Sequence, residues 1–471
     1  MKSKELEPAV IVLFGITGDL SQRYLLPALY HLFKDKVLNE KFEILGLTRQ
    51  DLTASQLFEK VEVCIYEEDK ICDAEALKAL RQRTTLMTFD PTKTEDYQKL
   101  KARLDNNDHE RGSYLNRIYQ LSIPPNIYST VMGNLGASGL NMPCADKIHT
   151  TRVVIEKPFG RDFDTARDLI DSTTKVFDET QIFRVDHYLA KETVQNILTF
   201  RMSNPIFSQV WNDKNISSIE INALESIGIE GRVNFYEGLG AVRDLIQSHL
   251  IQLLTLVTME LPEKVDDSED IHAKKYQLLK GVLPIDPNNA LRAQYEGYLD
   301  EVGKAESTTE TYANLDLSID NDMWRNTKIR LVTGKALTEK RTDITIRFRS
   351  PADSNANVLV LRIQPNEGIH MEFWVKRPGY VHQLERAVMD FSYQSTFGET
   401  NHPDAYERVL VDSIRGDNTL FATEEEVLLS WKIIDKVLNV WDANNDGMLS
   451  YKKGSTGPAV DQPNRRSIIV I

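Results

Sequence analysis

The run Ala9-Val10-Ile11-Val12-Leu13-Phe14, followed at once by Gly15-Ile16-Thr17-Gly18-Asp19-Leu20, restricts the fold more than any other stretch. Six consecutive apolar residues rich in β-branching suit a strand buried on both faces. The apolar positions Leu25-Leu26, Leu29 and Leu32-Phe33 then recur with helical spacing. Strand, glycine turn and helix in that order bring backbone N–H groups and a helix N-terminus towards a pyrophosphate. Gly15, Thr17, Gly18, Asp19 and Leu20 are therefore candidate cofactor contacts. The spacing is G-x-x-G and not the fuller G-x-G-x-x-G, so a purely structural turn is the competing reading.

Strands then alternate with helices. Phe42 to Leu47 is a second strand, and Arg49 stands just past its end. An acidic residue there would hold a ribose 2′-hydroxyl and favour NAD, whereas an arginine suits the 2′-phosphate of NADP. Gln50 beside it leaves NAD possible. Residues 51 to 110 read as helices with charged faces around a short strand, Thr85 to Phe89. Arg117 to Ile123 is a strand ending in the stiff pair Pro124-Pro125. Thr151 to Ile155 is another, closed by Glu156-Lys157-Pro158-Phe159-Gly160. A proline there stops the ladder and suits a cis bond. Lys157, at the strand's C-terminal end, is a candidate contact for both cofactor and substrate. This alternation predicts a doubly wound parallel sheet.

The stretch Arg184-Val185-Asp186-His187-Tyr188-Leu189-Ala190-Lys191-Glu192 follows the apolar pair Ile182-Phe183 and leads into a helical segment, Glu192 to Met202. Strand-to-helix junctions of this kind face crevices in α/β proteins. His187 and Lys191, four apart, share a face on a helical turn near a helix N-terminus, a plausible seat for a phosphate. Asp186 is placed to orient an imidazole elsewhere by accepting its N–H. The plainer reading makes Asp186 a helix cap among solvated charges.

Beyond this stretch Ile216–Ala223, Ile329–Thr333, Thr342–Arg349, Val358–Ile363 and Ile369–Val375 read as strands without βαβ spacing, so a mainly antiparallel sheet with helices is expected. A mostly apolar helix over about Gly240 to Glu260 carries Asp244 and His249. Residues 263 to 325 read as polar, with helical pieces and a surface loop. The division expected is a Rossmann-like dinucleotide-binding α/β domain over residues 1–183 and an α+β substrate-binding and oligomerisation domain over 184–471.

Composition narrows the function classes. The 471 residues carry a net charge of −14 and no long basic run, which disfavours nucleic acid and anionic membranes as partners. Cys64, Cys72 and Cys144 form no CxxC, and so sparse a set fits thiols in a reducing cytoplasm. Met1 to Glu5 lead into a strand and not into a signal segment. The longest apolar segment, Leu245 to Leu261, is broken by Gln247, Ser248, His249, Gln252 and Thr255, so it suits a buried helix and not a membrane span. Asp442-Ala443-Asn444-Asn445-Asp446-Gly447 mimics the start of a calcium loop, but Lys453 falls where the bidentate glutamate belongs, so a turn explains it better.

Taken together, these motifs resemble the glucose-6-phosphate dehydrogenase family along nearly the whole chain. The matching runs are Gly15 to Leu20, Glu156 to Gly160, Arg184 to Glu192 (with Ala190 where glycine is usual), Gly231-Arg232 with Tyr236-Glu237-Gly238, the Asp244–His249 helix, Gly334-Lys335, Pro403 to Arg408 and Tyr451 to Pro458. The resemblance implies oxidation of glucose 6-phosphate to 6-phospho-D-glucono-1,5-lactone with hydride transfer to NADP, the first oxidative step of the pentose phosphate pathway. It implies that His249 is the general base and that Asp186 stabilises its imidazolium. His187, Tyr188 and Lys191 would hold the phosphate. Glu225 and Asp244 would accept hydrogen bonds from sugar hydroxyls, with Lys157, Lys335 and Lys340 donating. No metal is implied, and a homodimer or homotetramer built through the large sheet is. One residue departs from the family: Tyr24 stands where lysine is common. Two rival readings are a sugar oxidoreductase of the glucose-fructose oxidoreductase-like type, which needs no phosphate clamp, and a catalytically weakened regulatory relative.

Overall fold

The computed structural model describes residues 6–69, 72–144, 149–350, 355–398 and 403–459; the reading of Met1 to Glu5 lies outside them. The first apolar run is strand β1 (Ala9–Phe14), with all six residues buried. It is joined by β2 (Glu43–Thr48), β3 (Thr84–Thr88), β4 (Asn116–Leu121), β5 (Thr151–Glu156) and β6 (Ile182–Val185). These six pair in parallel in the order β3-β2-β1-β4-β5-β6. The order reverses between β1 and β4, and a ligand crevice opens at the carboxyl ends of strands at such a point. The expected doubly wound sheet is therefore present.

The later strands build a second sheet. Its members are β7 (Ile216–Leu224), β8 (Ala290–Tyr295), β9 (Tyr312–Leu317), β10 (Lys328–Gly334), β11 (Arg341–Phe348), β12 (Val358–Gln364), β13 (Gly368–Lys376) and β14 (Leu384–Ser392). Chain order then gives β15 (Phe421–Ala422) and β16 (Met448–Tyr451). The nine-stranded order is β14-β13-β12-β11-β7-β10-β9-β8-β16. Pairing is antiparallel except for β7 with β10 and β8 with β16. The stretch 263–325, expected to hold helical pieces and a loop, also contributes β8 and β9.

The chain divides into two units, and the division is discontinuous. One unit comprises Met1–Thr199, Glu260–Gln277 and Asn401–Leu429; the other comprises Phe200–Met259, Leu278–Thr400 and Ser430–Ile471. This differs from a single break after residue 183, which would fall inside β6. The cause is hydrophobic: the helix Ala405–Arg415 buries Val409, Leu410, Val411 and Ile414 in the same core as Ile11, Leu29 and Phe183. β15 adds to that unit as an antiparallel edge strand, pairing Phe421 with Val185. Buried His31 Nδ1 lies 2.9 Å from Glu407 Oε1 and fixes the same helix. The second unit has its own core, in which Tyr236, Tyr295, Tyr298, Tyr312 and Tyr451 pack around Val332 and Leu337.

The sequence Asp442–Gly447 forms a turn before β16, with Gly447 at φ +73 and Asp446 N–H donating to Asn444 Oδ1 at 2.9 Å. Among the described residues no group of three or more His, Cys, Asp or Glu is arranged to hold a metal ion. Likewise, no helix of the described residues is long and apolar enough to cross a membrane.

Candidate active site

In the first unit the glycine turn sits at the end of β1, at the reversal point of the sheet. Gly15 has φ +77, and a Cβ there would lie 2.5 Å from the Ser122 carbonyl oxygen just past β4. Only glycine allows that approach. Gly15 N–H donates to Leu47 O at 3.1 Å, and Gly18 N–H to Gly15 O at 2.9 Å. Gln22 Nε2 donates to the Thr17 carbonyl at 2.9 Å. The helix starts at Asp19 and passes through a π-type turn, Ser21–Leu25, into Leu26–Lys34. Leu20 packs against the first core, and Asp19 pairs with Arg23 at 2.7 Å on the surface. Arg49 is exposed just past β2 and helps hold the Asp90 carboxyl below its ordinary range, behind the hydrogen bonds from Thr92. A bare backbone turn at a helix N-terminus, with a guanidinium past the second strand, fits a nicotinamide dinucleotide.

Lys157 follows β5, and the Lys157–Pro158 bond is cis, as the sequence suggested. Glu156, at the strand's last position, is the neighbour that sequence reasoning left without a role. Burial pushes its carboxyl up to about 8, against a hydrogen bond from Gln120 Nε2 at 3.1 Å and the charge of Lys157; Asp186 raises it further. Glu156, Lys157 and Asp186 thus share one electrostatic neighbourhood.

Asp186 follows β6 and is 3% exposed. Its Oδ1 accepts the Tyr188 N–H at 3.0 Å, and its carbonyl accepts the Leu189 N–H at 3.0 Å. Residues 187–190 form turns, and the helix begins only at Glu192. His187 and Lys191 are therefore not stacked on one helical face, as the spacing had suggested. Instead Tyr188 links them: its ring lies 5.3 Å from that of His187, and Lys191 Nζ stands 4.9 Å from its centroid. Tyr406, on the helix Ala405–Arg415, stacks on His187 at 6.3 Å and 15°. The run Pro403 to Arg408 marked this stretch, but no sequence signal pointed to the contact of Tyr406 with His187, because the two are more than two hundred residues apart.

The second unit holds the sugar-binding candidates other than Lys157. β7 and β10 are parallel and in register from Ser218–Lys328 to Leu224–Gly334, so Glu225 and Lys335 leave their strands side by side. Lys335 Nζ pairs with Glu225 Oε2 and lies 3.7 Å from Asp244 Oδ2. The same ammonium is 5.0 Å from the centroid of Tyr236. Asp244 and His249 belong to a π-helical segment, Val242–Leu250, which continues as the α-helix Ile251–Thr258. Asp244 and His249 are five residues apart, the span of one i→i+5 hydrogen bond of this segment. π-Helical turns of this kind recur at functional sites. His249 is 1% exposed. Glu310 holds the helix start: its Oε1 accepts the Val242 N–H at 2.8 Å. Burial pushes that carboxyl up to about 7. Lys340, also expected to touch substrate, is exposed between β10 and β11 and joins no ion pair with the described residues.

Residues 12–196 match the family model described as "Glucose-6-phosphate dehydrogenase, NAD binding domain", and residues 198–464 match "Glucose-6-phosphate dehydrogenase, C-terminal domain". The chain is 36% identical over 483 aligned positions to the glucose-6-phosphate 1-dehydrogenase of Chlamydia muridarum, covering 96% of this chain and 94% of that one. It resembles the solved structure of a glucose-6-phosphate dehydrogenase in complex with its substrate glucose-6-phosphate, with a TM-score of 0.90 at 32% identity, covering 98% of this chain and 97% of that one. It also resembles a glucose-6-phosphate 1-dehydrogenase from Mycobacterium avium, with a TM-score of 0.83 at 32% identity over 96% of each chain.

Proposed function

This chain belongs to the glucose-6-phosphate dehydrogenase family, and from that premise we propose which of its residues carry out the reaction. It is an oxidoreductase that converts glucose 6-phosphate to 6-phospho-D-glucono-1,5-lactone. A bound nicotinamide dinucleotide supplies the acceptor for the hydride from C1. Gly15, Thr17, Gly18, Asp19 and Leu20 would hold its pyrophosphate by backbone, Lys157 would contact it, and Arg49 would favour the 2′-phosphate of NADP.

In the proposed mechanism His249 takes the proton from the C1 hydroxyl as C1–H leaves with its electron pair. Imidazole suits this task because it titrates near neutrality. Asp186 accepts the other ring N–H and stabilises the imidazolium as it forms. His187, Tyr188 and Lys191 grip the phosphate, and Glu225, Asp244, Lys335, Lys340 and Lys157 orient the sugar. The observation that carries the reading is the second-unit cluster. There an ammonium lies between two carboxylates, one of which belongs to the same π-helical segment as a buried histidine. Such a group can donate to and accept from vicinal hydroxyls next to a base.

The reading extends to a cytoplasmic homodimer or homotetramer assembled through the large sheet. It is supported by three cysteines that are not joined in disulfides and by an edge strand, β14, that exposes Leu384, Val388 and Met389. Initial rates with glucose 6-phosphate and glucose, each with NADP and NAD, test the function. Glucose 6-phosphate with NADP should give the highest kcat/KM. Equal rates on glucose would overturn the phosphate clamp, and a preference for NAD would overturn the role of Arg49.

A further inference from the structure

We propose that Tyr24 is a positioning residue for phosphate capture: through Tyr406 it fixes the plane of the His187 ring. The proposal rests on the reading of His187 as a phosphate ligand. Tyr24 lies in the π-type turn Ser21–Leu25, and its ring is 5.6 Å and 33° from that of Tyr406. Tyr406 stacks on His187, His187 meets Tyr188 edge to face, and Lys191 stands over Tyr188. Four rings and one ammonium therefore form a continuous series that ends in the clamp.

Tyr406 is well placed to transmit a constraint. Its N–H donates to Asp404 Oδ2 at 2.9 Å, and its helix is anchored by Val409, Leu410 and Ile414 in the core. Tyr24, in contrast, is 46% exposed. So exposed a ring contributes little by burial, and its tilted ring contact with Tyr406 is what distinguishes it from a generic surface residue. An imidazole free to turn about its side-chain bonds points its N–H groups over a wide arc. Stacking confines that arc, so the donor meets the phosphate without losing as much freedom on binding. Where the family commonly places a lysine, this chain uses an aromatic brace.

The test compares Tyr24→Ala, Tyr24→Leu, Tyr24→Phe and His187→Gln. Glucose 6-phosphate affinity is read by calorimetry without cofactor, together with KM, kcat and the kcat/KM for glucose. Tyr24→Ala and Tyr24→Leu should weaken glucose 6-phosphate binding about three- to tenfold, the range expected for one aromatic contact. Their kcat should stay within about twofold of the parent and their kcat/KM on glucose should be unchanged, because only the phosphate grip is affected. Tyr24→Phe, which keeps the flat face, should bind like the parent, and His187→Gln should weaken binding more than any of them. If His187→Gln weakens binding and Tyr24→Leu does not, the brace is wrong while the clamp stands. If His187→Gln has no effect, the clamp reading fails and the brace with it. Equal losses on glucose and glucose 6-phosphate would show general damage and overturn the proposal.

Discussion

Glu310 is a buried carboxyl whose proton is worth stability. Burial raises it from an ordinary 4.5 to about 7, although the Val242 N–H opposes the shift. Between those values the folded chain keeps a proton that the unfolded chain has released. The contribution is therefore full below pH about 4.5 and is lost as pH rises through about 7. Glu310→Gln keeps an oxygen for Val242 and has no proton to lose. Denaturant unfolding at pH 5 and pH 8 should show the parent weakening with pH more than the variant, by a difference on the order of 3 kcal/mol; parallel declines would contradict this. His249, Asp186 and Lys335, which we propose take part in the reaction, could be named as candidates from sequence because each lies in a motif that is local in the chain. The contacts of Glu310 and Tyr406 could not be read in this way, because each acts on a partner far along the chain.

Elements were legible where burial dictates one pattern. β1 is continuous and apolar because both its faces are covered, and its bounds follow directly from the sequence. β8 and β9 were hidden because they bury polar groups. Arg292 in β8 is 2% exposed, and it donates to the carbonyls of Trp441, Asn444 and Asp446 at 2.6, 2.6 and 3.0 Å. Asn314 in β9 is likewise buried. A strand whose charges are satisfied by distant carbonyls does not show apolar alternation. The helix carrying His249 was visible as an apolar stretch, but its π-type closure was not, since no residue type encodes i→i+5 bonding. Gly240, just before it, has φ +77, and a Cβ there would fall 2.5 Å from the Glu310 carboxylate oxygens. Gly240→Ala should cost about 1–3 kcal/mol of stability and lower kcat as the helix start shifts. Unfolding and steady-state rates measured together check this, and parental values in both would refute it.

At the scale of the molecule, two units interleave along the chain, so the late segment Asn401–Leu429 completes the first unit. A linear reading of sequence cannot show this, because a helix such as Ala405–Arg415 advertises an apolar face but not its partner. The assembly we propose uses the other sheet. Met389 on the edge strand β14 is 67% exposed, and a charge there is how natural sheets block edge association. Met389→Lys should shift the protein towards the monomer in sedimentation equilibrium, and an unchanged mass would remove β14 from the interface. Chemistry at the centre is tested most directly by His249→Asn, with glucose 6-phosphate affinity and NADP reduction measured on the same preparation. Affinity should be retained while kcat falls about 10²- to 10⁴-fold; turnover close to that of the parent would show that another group takes the proton.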